Sequence, residues 1–192
     1  MNDCNSPYVL KVYKYNKSKN EYYMEYLDQT LYDYIRINNQ KISMGERFNV
    51  VMQILKGFQY IHSKGILHRD ISLTNILIKK YDDAIRIKIA DFGLVKEKNS
   101  NLTSLESEIK GSLNDESNLR VVGFAKYDIY HETFALTRLV LYVLTGKTNL
   151  DKVENKDIRE FVLKGTNGIF EKRFKNVDDL ILAFKELYKK IT

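Results

Sequence analysis

Apolar residues recur at Phe48, Val51, Ile54, Leu55, Phe58 and Ile61, one face of a helix. Ser43 with Glu46 three positions later reads as the capping box that opens this helix, and Gly65 as the cap just past its end. Ahead of it lie two strand-like runs, Tyr8–Tyr15 and Glu21–Tyr26, parted by a polar turn over 16–20, and then a short helical stretch around Leu31, Tyr34 and Ile35. After Ile66 and Leu67 the chain enters a polar loop from His68 to Asn75. Ile76–Ile78, a turn over 80–83, and Ile85, Ile87 and Ile89 alternating with Arg86 and Lys88 predict a β-hairpin. Residues 94–127 are polar and irregular, long enough to predict a functional loop. A buried helix is expected over 131–145, ending at Gly146, and an amphipathic one through Val177, Leu180, Phe184, Leu187 and Ile191. The pattern predicts an α+β class: a mainly helical lobe with a small β-hairpin that carries polar loops.

Composition narrows the function classes. At 192 residues and 44% hydrophobic, the chain can bury a core and is neither disordered nor fibrous. One cysteine, Cys4, excludes an internal disulfide framework and a cysteine-rich zinc site, and suits a reducing compartment. The N-terminus lacks a signal or lipidation pattern, and the run from Phe134 to Leu144 is too short to span a bilayer and contains Arg138. A cytoplasmic protein without a membrane partner is expected. The net charge of +6 comes from lysines scattered among acids, which argues for a solvated surface and against a nucleic-acid partner.

The polar loop reads His68-Arg69-Asp70-Ile71-Ser72-Leu73-Thr74-Asn75, and the hairpin is followed by Asp91-Phe92-Gly93. In this order and spacing the two segments resemble the catalytic loop and the metal-binding segment of eukaryotic-like protein kinases. The resemblance implies ATP and Mg2+ as cofactors and a protein hydroxyl as acceptor. It implies that Asp70 orients the acceptor and takes its proton, that Asn75 and Asp91 ligate the metal, and that Arg69 meets a phosphate on the activation segment. Ser100, Thr103, Ser104, Ser107, Ser112 and Ser117 lie in that segment, where serine-rich polar loops are also ordinary. Tyr22-Tyr23-Met24-Glu25-Tyr26-Leu27 resembles the last small-lobe strand and hinge. Met24 would then be gatekeeper, the Glu25 carbonyl and Leu27 amide would face adenine, and Leu77 would floor the pocket. The resemblance divides the chain into a small-lobe strand remnant and hinge, 1–27, and a C-terminal lobe, 28–192.

Several positions depart from the family. Ser72 stands where a lysine usually contacts the transferred phosphate, although HRDIS is similar to a group of bacterial kinase-like proteins. Glu132 replaces the aspartate that usually opens the central helix, its carboxylate still able to accept backbone hydrogen bonds. Asp115 or Glu116 substitutes for the APE glutamate as partner of Arg173. The 26 residues between Gly146 and Arg173 leave little room for a substrate-docking helix. No two glycines form a G-x-G pair, and Lys11, 13 positions before Met24, fits the strand before the hinge better than the phosphate-anchoring strand. Most of the upper lobe is therefore expected to be absent, with a second chain as one way to supply it. His62 and His131 are expected to be solvated or to sit at helix ends. Two alternatives stay open beside a serine/threonine kinase: a catalytically inactive pseudokinase-like binding module, and a small-molecule phosphotransferase of the aminoglycoside kinase type.

Overall fold

The computed structural model describes residues 6–82, 84–91 and 113–192. Cys4, Phe92, Gly93 and the serines and threonines from 100 to 112 lie outside the described residues.

Strands β1 (Val12–Asn16) and β2 (Glu21–Met24) pair antiparallel as a two-stranded ribbon, with Tyr13 bulged out of register. Tyr15 and Tyr22, directly opposite, stack with centroids 4.5 Å apart. Strand pairing begins at Val12, later than the apolar run suggests. The preceding Tyr8–Leu10 instead runs parallel beside β5 (Ile85–Ile89): the Ile89 N–H donates to the Tyr8 carbonyl and the Leu10 N–H to the Ile89 carbonyl. Strands β3 (Gln29–Thr30), β4 (Ile76–Lys80) and β5 form a second antiparallel sheet in that order. Its β4–β5 register pairs Ile76 with Ile89 and Ile78 with Ile87, which puts those four isoleucines in the core.

Helix α1 (Leu31–Asn38) starts at Thr30, whose hydroxyl accepts the Asp33 N–H. Helix α2 (Met44–Ser63) carries the expected reciprocal cap between Ser43 and Glu46. The loop after α2, the β4–β5 hairpin, and helices α3 (Glu116–Val122), α4 (Ile129–Thr145), α5 (Lys156–Gly165) and α6 (Val177–Ile191) complete the lobe. Central α4 is buried along nearly all its length and packs on α2, α5 and α6. It ends at Gly146, whose φ of 69° is the left-handed cap conformation.

Two regions depart from the sequence pattern. Residues 116–122 form a helix because Leu119 packs with Phe124 and Tyr127 as a small separate core, a signal hidden among polar neighbours. The interval between Gly146 and Arg173 holds α5, whose Ile158, Phe161 and Val162 are buried, so this helix belongs to the core.

Gly57 allows β5 to lie against α2: an added Cβ would meet Ile89 Cδ1 at 2.5 Å and Tyr8 Cβ at 3.0 Å. Gly57→Ala is therefore expected to lose about 1–3 kcal/mol through overpacking, read as a lowered midpoint in thermal denaturation. An unchanged midpoint would show that β5 moves aside freely.

Candidate active site

The β4–β5 register continues by one residue beyond the strands. The Ala90 N–H donates to the Asn75 carbonyl at 2.9 Å, and the Ala90 carbonyl accepts from His68 Nε2 at 2.9 Å. Ala90 is thus locked between the two ends of the His68–Asn75 loop, and Asp91 follows directly. His68 is fully buried, and its Nδ1 accepts the Asp70 N–H at 3.3 Å, so the proton belongs on Nε2, facing Ala90.

Within the loop, Asn75 Nδ2 donates to the Asp70 carboxylate at 2.9 Å and to the Asp70 carbonyl at 3.0 Å. This double hold aims the carboxylate and turns Asn75 Oδ1 the other way. Ser72 is buried, and its hydroxyl accepts the Asn75 N–H at 3.1 Å while sharing a hydrogen bond with Thr74 at 3.0 Å. The residue in the usual lysine position is therefore the brace of the turn that presents Asn75. Burial raises the Asp70 pKa, Asn75 and His68 oppose that rise, and the nearby Asp91 charge adds to it. Arg69 and Asp91 both have positive φ, 68° and 58°. Such backbone costs on the order of 1–3 kcal/mol per residue and persists where surrounding contacts enforce it.

The enforcement comes from below. Glu132, fully buried near the start of α4, accepts the Arg69 N–H at 2.8 Å and the Tyr127 hydroxyl at 2.8 Å on Oε1, and meets His62 Nε2 at 3.0 Å on Oε2. The longer glutamate thus accepts a backbone hydrogen bond as expected. His62 does sit at the end of α2, but it is not solvated: the buried carboxylate draws it inward, with its Nδ1 buried and unpartnered among the described residues. His131 is the anticipated helix-end residue, exchanging hydrogen bonds with Asp128 in the cap of α4. Asp115 pairs with Arg173 at 2.5 Å, both buried, whereas Glu116 pairs with Arg120 at the surface. Sequence reading missed Tyr127 and Asn114. An isolated tyrosine or asparagine in a polar stretch carries no periodic or motif signal.

The residues expected to face a nucleotide lie at the end of the β1–β2 ribbon, on the segment after it, and on the central strand of the second sheet. Leu77 is half-buried on β4, opposite Lys88. Lys88 pairs with the Glu25 carboxylate at 2.9 Å, and that carboxylate also accepts the Lys11 N–H at 2.7 Å. Met24 ends β2 and is half exposed, Leu27 is half-buried, and the next residue, Asp28, donates its N–H to the Ile78 carbonyl. Lys11 immediately precedes β1, on the segment leading to the hinge. For a metal, Asn75 Oδ1 and the Asp91 carboxylate are hard oxygen donors on adjoining backbone. The described residues contain no cluster of three His, Cys, Asp or Glu side chains able to hold an ion alone. That donor set fits Mg2+, which takes one or two protein oxygens and completes its shell with water and substrate phosphates.

The protein kinase domain family model matches residues 1–191. NUAK family SNF1-like kinase 1 of Mus musculus is 40% identical over 97 residues, covering 49% of this chain and 14% of that protein. Probable serine/threonine-protein kinase KCC4 of Saccharomyces cerevisiae is 30% identical over 170 residues, 86% of this chain and 16% of that protein. The chain thus spans only a small part of the length of these relatives. The crystal structure of the Mycobacterium tuberculosis PknI kinase domain has the same fold, with a TM-score of 0.69 at 18% identity, covering 96% of this chain and 74% of that one. The described residues contain no helix long and apolar enough to cross a membrane. The chain belongs to the protein kinase domain family.

Proposed function

We infer that the chain carries the catalytic loop of a serine/threonine protein kinase, which moves the γ-phosphoryl group of ATP to a protein hydroxyl in the cytoplasm. The observation that carries the reading is the Asp70 carboxylate held by Asn75 at 2.9 Å, beside an Asp91 fixed through Ala90. Asp70 orients the acceptor hydroxyl and takes its proton as the oxygen bonds to phosphorus, and the bond to the β-phosphate oxygen breaks to release ADP. Asn75 and Asp91 would hold Mg2+, which neutralises charge on the phosphates. Leu77, the Glu25 carbonyl and the Leu27 amide would hold the adenine of ATP. With Ser72 in place of a cation, stabilisation of the transferring phosphoryl group falls to other charges, so turnover is slow.

Residues 1–27 act as small-lobe strand and hinge, and 28–192 as the large lobe. The β1–β2 ribbon exposes Tyr13, Tyr22, Tyr23 and Met24, and Tyr26 beyond it is 77% exposed. This apolar ribbon favours completion by strands of a partner chain. The same ribbon is the one observation favouring the pseudokinase-like reading, in which it only docks partners.

Incubation with Mg-ATP and a basic acceptor protein, followed by intact-mass measurement, tests the reading. Phosphate gain supports it, and no gain with or without a supplied small lobe overturns it. Because burial raises the Asp70 pKa and the base must be ionised, the acid limb of the rate–pH profile is expected above the usual aspartate range. The same shift means that folding stability from this group declines as pH rises through its folded pKa. An acid limb at the ordinary aspartate position would show that burial does not raise the pKa of the base.

A further inference from the structure

Arg69 holds a left-handed φ of 68° immediately before Asp70, so its two peptide groups need partners from elsewhere in the fold. The N–H finds Glu132 on α4, as described above. The carbonyl accepts Asn114 Nδ2 at 2.9 Å. Asn114 is buried, and its Oδ1 faces the Tyr127 hydroxyl at 3.2 Å, while that hydroxyl also reaches Glu132 Oε1 at 2.8 Å. One phenolic proton is shared between the two oxygens, closest to the carboxylate. Glu132, Tyr127 and Asn114 thereby close a ring of side chains around the backbone of a single residue.

Asn114 is itself firmly placed. The Leu113 N–H donates to the Ile71 carbonyl at 2.9 Å, on the far side of Asp70. Arg138 donates to the Leu113 and Asn114 carbonyls at 3.2 and 3.3 Å, and Asp115 is anchored on Arg173. We propose that Asn114, oriented by Tyr127, is a positioning residue that fixes the Arg69–Asp70 corner and so sets the direction of the Asp70 carboxylate. The proposal rests on the kinase reading only for its catalytic consequence. Asn114 grips the carbonyl on one side of Asp70, its neighbour Leu113 grips the carbonyl on the other, and neither touches the reacting atoms.

The test uses the whole chain with Asn114→Ala and Tyr127→Phe, the second keeping the ring that fills the small core. Amide hydrogen exchange is expected to accelerate about tenfold in peptides spanning 68–75, the loss of one neutral hydrogen bond's hold. Peptides from α4 and α6 should exchange at the parent rate. In the phosphate-transfer assay, kcat falls up to about 10²-fold while KM for Mg-ATP stays nearly constant, the pattern of a misaimed base. Exchange that is unchanged, or accelerated uniformly over the molecule, overturns the clamp, as does selective loosening of 68–75 with an unaltered kcat. If the parent transfers no phosphate, the kinase reading fails by itself, and the exchange measurement still decides whether Asn114 and Tyr127 hold the loop.

Discussion

Asp70→Asn is expected to lower Mg-ATP-dependent phosphate transfer by about 10²–10⁴-fold, the usual contribution of a positioned general base. The substitution is nearly isosteric, and the new amide oxygen still accepts from Asn75 Nδ2, which the structure places 2.9 Å from the native carboxylate. The loop therefore keeps its shape while the proton acceptor is gone. Stability should hold or rise slightly, because a carboxylate whose pKa burial has raised is costly to keep ionised at neutral pH. Parent and variant would be compared side by side by intact mass and by thermal denaturation. A large loss of rate at an unchanged midpoint assigns the base to Asp70. Equal phosphate gain in both would move the chemistry to another residue, and no gain in either would favour the binding-module reading.

The second large effect belongs to Glu132→Ala, which is expected to cost about 3–5 kcal/mol of stability, as removal of one partner from a buried charged network does. For a domain of this length that is a drop of roughly 6–20 °C in Tm. The cost follows from two donors left unpaired, the Arg69 N–H and His62 Nε2, while the Tyr127 hydroxyl keeps only its longer bond to Asn114 Oδ1 at 3.2 Å. Burial by itself pushes the Glu132 pKa up, but the hydrogen bond and charge of His62 and the Arg69 N–H oppose it, and the group lies below the usual glutamate range. A carboxyl depressed on folding stabilises above its unfolded pKa, and the benefit is lost as pH falls through the folded value. Urea titrations of the parent should therefore show stability falling on the acid side, and the variant should lack that part of the slope. A loss below about 1 kcal/mol would mean that water replaces the carboxylate and that the network adds little to the fold.

Much of the site could be read from the chain because its parts are local. Asp70 and Asn75 belong to one loop, and a hairpin of fixed register returns Asp91 beside them, so order and spacing suffice to bring the groups together. The two long helices were equally plain, since a capping box and a 3.6-residue apolar period are contained within single segments. Helix α3 was hidden because only Leu119 of its seven residues is buried, too little for a period to register. Helix α5 sets Ile158, Phe161 and Val162 at helical spacing on its buried face, a short period enclosed by polar residues.

The supports of the site were not legible, and the reason is physical. A buried carboxylate recruits whatever donors the packing of separate elements brings within 3 Å. His62 lies 70 positions from Glu132, and Asn114 lies 45 from Arg69, so no local pattern encodes either meeting. The hydroxyl of Ser72, which stands where the family usually has a lysine, also braces the turn before Asn75, and no motif encodes that role. By itself the sequence determined the fold class, the family and the loop that carries Asp70 and Asn75, because these depend on periodicity and on residue types at fixed short spacing. Only the tertiary structure decided which buried polar groups satisfy one another beneath that loop, because their partners come from distant segments and are chosen by burial.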